Sequence, residues 1–128
     1  MREHLQVRQI PGEKRRRWFS SSNFDLIVWH NEDGSFAGFE LCYDKMHRER
    51  AIIWHPEHGF LHAAIDDGEH QPGRYKSAPI HIADGHFDAQ HIHDSFLKES
   101  RQLPEDIVRY IAQTIRNHPD FSLPPAPY

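Results

Sequence analysis

Residues 24–65 hold four apolar runs separated by three reversals, and that spacing points to an antiparallel sheet. Phe24–Asn31 leads into Asp33-Gly34, a dipeptide suited to a two-residue type I′ turn, which needs positive φ at both positions. Phe36–Tyr43 runs back. A polar loop, 44–49, leads to Arg50–His55, and Pro56-Glu-His-Gly59 turns the chain into Phe60–Ile65. Side chains alternate between faces along a strand, and directly opposed residues share one. Closing the turns symmetrically opposes Val28 to Phe39, Leu41 to Ile52 and Trp54 to Leu61. One face then collects Phe24, Leu26, Val28, Phe39, Leu41, Tyr43, Ile52, Trp54, Leu61, Ala63 and Ile65. Turn chemistry alone produces this sorting, so the agreement with hydrophobicity is independent support for a meander.

The flanks extend the pattern. Leu5–Ile10 and Arg15–Phe19 surround Pro11-Gly-Glu-Lys14 as a further hairpin. Residues 66–86 are rich in Gly, Pro and His, with Ile80-His-Ile82 as a short strand. Asp88 is a favourable N-cap for a helix over 89–100, and Phe87 and Ile92 occupy the positions of a hydrophobic staple. Pro104 suits the first turn of a second helix, with an apolar stripe of Ile107, Val108, Ile111 and Ile115 ended by Pro119. The expected fold is α+β: an antiparallel β-meander of four to six strands, with two C-terminal helices packed on one sheet face. Residues 1–118 are read as one domain and 119–128 as an extended C-terminal tail.

Composition narrows the setting. The single cysteine, Cys42, excludes an intramolecular disulfide and fits a reducing compartment. The N-terminus carries no apolar run of signal-peptide length, and no window approaches the ~20 apolar residues of a membrane span. Cytoplasm is the expected location. Twelve histidines stand out; protonating all of them takes the formal charge from −4 to +8.

The second sheet face is where chemistry is expected. On the same register it carries Ile27, Trp29, Glu40, Cys42, Ile53, His55, Phe60 and His62. A half-solvated sheet is normally polar outside, so an apolar outer face centred on Trp29, Phe60, Ile27 and Ile53 calls for a cover: the N-terminal hairpin, the 66–86 loop, a ligand, or, reading it as a contact surface, another molecule. Such a contact surface would serve a non-catalytic interaction domain that meets a second copy of the chain or a protein partner. Glu40, His55 and His62 offer a second reading. Two imidazoles and a carboxylate suit Zn²⁺ with an open position, or general acid/base work, in a metal- or small-ligand-binding protein or enzyme. No other cofactor is indicated. The basic run Lys14–Arg17 gives a third reading, a nucleic-acid accessory protein, but four strand residues alternate faces and form no continuous stripe. Asp66–Glu69 lacks the spacing of an EF-hand, and Cys42 reads as a packing residue.

Trp18-Phe-Ser, Phe39-Glu-Leu-Cys-Tyr-Asp44, Asp66-Asp-Gly-Glu69 and Pro72-Gly-Arg-Tyr-Lys76 together resemble small conserved bacterial proteins to which no activity is attached. That resemblance implies a compact bacterial cytosolic domain and carries over no functional residue.

Overall fold

The computed structural model describes residues 1–45, 49–64, 82–83, 88–119 and 121. The chain falls into two compact units, Met1–Asp84 and Gly85–Tyr128. Ile65, the 66–69 turn, His81, His86, the Phe87 half of the staple and residues 122–128 lie outside the described residues.

The first unit is an antiparallel meander in which every strand pairs with its sequence neighbours. Its six main strands are β1 (Arg2–His4), β2 (Arg15–Ser20), β3 (Asp25–His30), β4 (Phe36–Tyr43), β5 (Arg50–His55) and β6 (Gly59–Ala64). A two-residue β7, Ile82–Ala83, pairs with the end of β6. The second unit is two helices, α1 (Ala89–Glu99) and α2 (Glu105–Arg116). None of the described helices is long and apolar enough to cross a membrane.

The register of β3 through β5 follows the sequence pattern: Val28 opposes Phe39, Leu41 opposes Ile52 and Tyr43 opposes Arg50. Phe19, Leu26, Val28, Phe39, Leu41 and Ile52 are fully buried on that face. The first hairpin reaches this register by another route. The turn spans Asn31–Gly34, closed by Gly34 N–H to Asn31 O at 2.9 Å, and Gly34 takes φ +88° while Asp33 does not turn left-handed. Asn31 N–H then bonds Ser35 O at 2.8 Å, so the loop has three residues, not the two expected. A bulge beside Trp29/His30 absorbs the mismatch, and the strands beyond it realign.

No bulge rescues the last hairpin. Pro56 occupies the second position of a turn closed by His58 N–H to His55 O at 3.1 Å, a favoured place for proline. Gly59 follows at φ +74° and pairs directly with His55. The loop is one residue shorter than the sequence reading assumed, so β6 is shifted by one. Trp54 opposes Phe60 and Ile52 opposes His62. A one-residue slip moves every side chain of a strand to the other face. Phe60 and His62 therefore join the Phe39 side, while Leu61 and Ala63 join Trp29. Trp54 and Phe60 confirm the pairing with ring centroids 4.7 Å apart.

The N-terminal segment also departs from expectation. Leu5–Ile10 is not a strand; the partner of β2 is Arg2–His4, and Leu5 is 91% exposed. The Gln9 side chain replaces the missing strand. Its Nε2 donates to Arg16 O, and its Oε1 accepts from Arg16 N–H, both at 2.9 Å. That occupies backbone groups an edge would otherwise offer to another chain. Arg17 grips both oxygens of Glu3 at 2.8 and 2.7 Å. This bond holds the Glu3 carboxyl below the usual range. Its contribution is present above ordinary carboxylate pKa values and is lost as pH falls through the lowered one.

In the helical unit, Asp88 caps α1 by accepting from His91 N–H at 3.2 Å. Glu105 and Asp106 open α2, where carboxylates complement the helix dipole. Ile107, Ile111, Ala112 and Ile115 form its buried stripe. His93, 5% exposed, links the helices: Arg116 Nε donates to His93 Nε2 at 3.1 Å. Because a guanidinium can only donate, the imidazole proton sits on Nδ1, where it bonds Asp94 Oδ1 at 2.9 Å.

Gly59→Ala tests the hairpin. Open space surrounds the position, so only the left-handed backbone penalises a side chain, and stability should fall by about 1–2 kcal/mol in denaturant titration.

Candidate functional site

In an up-and-down meander, alternate reversals lie at the same end of the sheet. Here the 10–13, 31–34 and 55–58 turns gather there and border an open pocket of about 560 Å³ on the Trp29 side, within the range of small-molecule sites. Trp29, Phe36, Ala37 and His55 provide its aromatic and apolar wall. Glu13, Lys14 and Asn31 line one part of the rim, and Pro56, Glu57 and His58 another.

Local packing sets the wall. Trp29 is 3% exposed and clusters with Ile27 and Ala37, with Trp18 against them. His4 stacks on Trp18 with centroids 4.0 Å apart and bonds Ser20 Oγ at 2.6 Å, so β1 and β2 side chains build up the same face. His55 lies 5.3 Å from the Trp29 ring. Gly38, directly opposite Trp29, makes room for it. A Cβ there would sit 2.5 Å from Trp54 O and 2.7 Å from His55 Nδ1, and its φ of +143° also disfavours a side chain. The His58 ring meets His55 edge-on at 6.3 Å. At the rim, Lys14 Nζ donates to Asn31 Oδ1 at 2.8 Å, and Asn31 Nδ2 donates to Ser35 Oγ at 2.9 Å. Two Ser35 bonds, side chain and backbone, hold the nearby Asp33 carboxyl below its usual range.

The other end of this face is also buried but carries polar groups. Glu40 is fully buried and Asp25 is 5% exposed. The Cys42 thiol donates to Glu40 Oε2 at 3.6 Å. Burial pushes that thiol well above its ordinary pKa, and the Glu40, Glu49 and Asp25 carboxylates push it the same way. Lys45 reaches in, bonding Asp25 Oδ1 at 3.2 Å and Ser21 O at 2.9 Å.

The residues singled out in the sequence separate accordingly. Trp29 and His55 come together in the pocket wall. Ile27 and Ile53 share their face, but with Trp29 they are buried within the single chain, 2% and 7% exposed. Phe60 is on the opposite face with Trp54. Glu40, His55 and His62 do not converge: the shift at Gly59 puts His62 on the far side, where its Nε2 bonds the Tyr43 hydroxyl. Among the described residues no three His, Cys, Asp or Glu side chains form a metal-holding group. The basic run is largely committed internally, Lys14 to Asn31, Arg16 to Arg8 O at 2.9 Å and Arg17 to Glu3. Phe36, Asn31, Glu57 and His58 are among the pocket residues that sequence reasoning missed as site residues, and Lys14 was singled out only as part of a basic run. The signal was present in topology, since the three turns must share one end.

Comparison with protein-family models, with curated proteins and with solved structures finds no match.

Gly38→Ala should cost about 3 kcal/mol or more, clearly exceeding Gly59→Ala, because overpacking adds to backbone strain. The same titration reads both. Cys42 should react with Ellman's reagent on the order of a hundredfold more slowly in the native protein than in guanidinium.

Proposed function

We propose that this chain is a small-molecule-binding domain whose site is the pocket between the three turns. The observation that carries the reading is the combination of a buried indole wall with hydrogen-bonding and charged groups at the rim of one concave space. Ligand sites are typically built this way, with apolar walls giving affinity and a few polar groups giving orientation. The contact-surface reading is less favoured, since its central side chains are buried in the monomer. A metal centre on Glu40, His55 and His62 is disfavoured by the face His62 occupies. A nucleic-acid role is disfavoured by the internal bonds of Arg16 and Arg17.

A fragment screen followed by amide and indole NMR tests this. Hits should shift Trp29, Ala37 and His58 together. Phe36→Ala should weaken them by about tenfold or more, as loss of an aromatic wall does. His58→Ala, at an exposed position, should weaken them while leaving stability within about 0.5 kcal/mol. Hits that shift the sheet elsewhere, or that ignore both substitutions, would remove the pocket from consideration.

A further inference from the structure

The rim of the pocket carries charge of both signs, and the two signs do not cancel each other. Lys14 arises from the first reversal. Its ammonium is anchored by a neutral acceptor, Asn31 Oδ1 at 2.8 Å, and among the described residues it forms no ion pair. Glu57 arises from the third reversal, is exposed, and among the described residues forms no ion pair either. Between these turns stand the half-buried rings of Phe36 and His55, backed by the buried Trp29 indole.

Each simpler ligand class meets an opposing charge. An aromatic anion would gain Lys14 but face Glu57. An aromatic cation would gain the carboxylates but face Lys14, whose neutral anchor leaves its charge intact. A molecule with one ammonium, one carboxylate and a ring satisfies all three elements at once. Resting on the assignment of this pocket as a ligand site, we infer that it takes a free amino acid with an aromatic side chain, bound as the zwitterion. Lys14 receives the carboxylate and Glu57 the ammonium, and the ring lies against Trp29 and Phe36. Charge-assisted hydrogen bonds are the stronger kind, and aromatic pairs add to area burial, so the three contacts are mutually reinforcing.

The test titrates the intact chain with L-phenylalanine, 3-phenylpropionate and 2-phenylethylamine, read by the Trp29 indole and Ala37 amide signals. L-Phenylalanine should saturate these shifts, with each truncated analogue at least tenfold weaker. Lys14→Met should reduce L-phenylalanine to the level of the amine, and Glu57→Gln to the level of the acid. Both positions are exposed, so neither change should unfold the protein. If either truncated analogue, or glycine, binds as tightly as L-phenylalanine, the zwitterion-with-ring assignment fails while the pocket survives as a site. If no ring-bearing compound of any charge moves the Trp29 signals, both the assignment and the underlying site fail.

Discussion

Three glycines decide what meets what in the sheet. Gly34 and Gly59 adopt left-handed backbone in their turns, and each fixes the length of the loop it closes. Gly38 has no side chain where one would collide with Trp54 O and the His55 ring. Loop length sets register, register sets which face a side chain occupies, and the empty volume over Gly38 lets an imidazole lie beside an indole. The pocket exists because these local choices agree.

Both faces of the central strands are buried, which explains the unusual side chains there. β3 is buried from Asp25 to Trp29 without the alternation of a half-solvated strand. A carboxylate on such a strand loses hydration, and Asp25 recovers part of it from Lys45. Glu40 accepts from Cys42. The thiol is thereby held as a hydrogen-bond donor in a region of negative charge, a poor environment for a nucleophile. Trp29 itself is packed inside the chain, 3% exposed. The concave mouth at the end of the sheet remains, where backbone reversals bring polar residues beside aromatic ones.

The meander, its order and both helices were legible in the sequence. Apolar periodicity and turn residues act locally, and Asp88 and Pro104 announced the helix starts directly. The β3–β4 register was reached despite a misread turn, because the bulge near Ala37 compensated for the third loop residue. The β6 register was not legible. Pro56-Glu-His-Gly59 is compatible with loops of three or four residues, and the choice depends on whether Gly59 pairs with His55. That ambiguity carried Phe60 and His62 to the wrong face and dissolved the Glu40, His55 and His62 set. The N-terminal strand was misplaced for a different reason. Gln9 imitates a backbone partner with its side-chain amide, and no hydrophobic pattern signals that substitution. Of the pocket, Trp29 and His55 were found by chemistry. Phe36, Glu57 and His58 follow only from noticing that alternate turns share an end.

The pairing of β5 with β6 decides which face β6 presents, because it places His62 away from Glu40 and His55. Interstrand NOEs in the labelled protein measure it directly. Contacts joining Trp54 to Phe60 and Ile52 to His62 across the backbone are the predicted result. Contacts joining Trp54 to Leu61 and His55 to Phe60 would contradict it, returning His62 to the face of Glu40 and reopening the Glu40, His55 and His62 set.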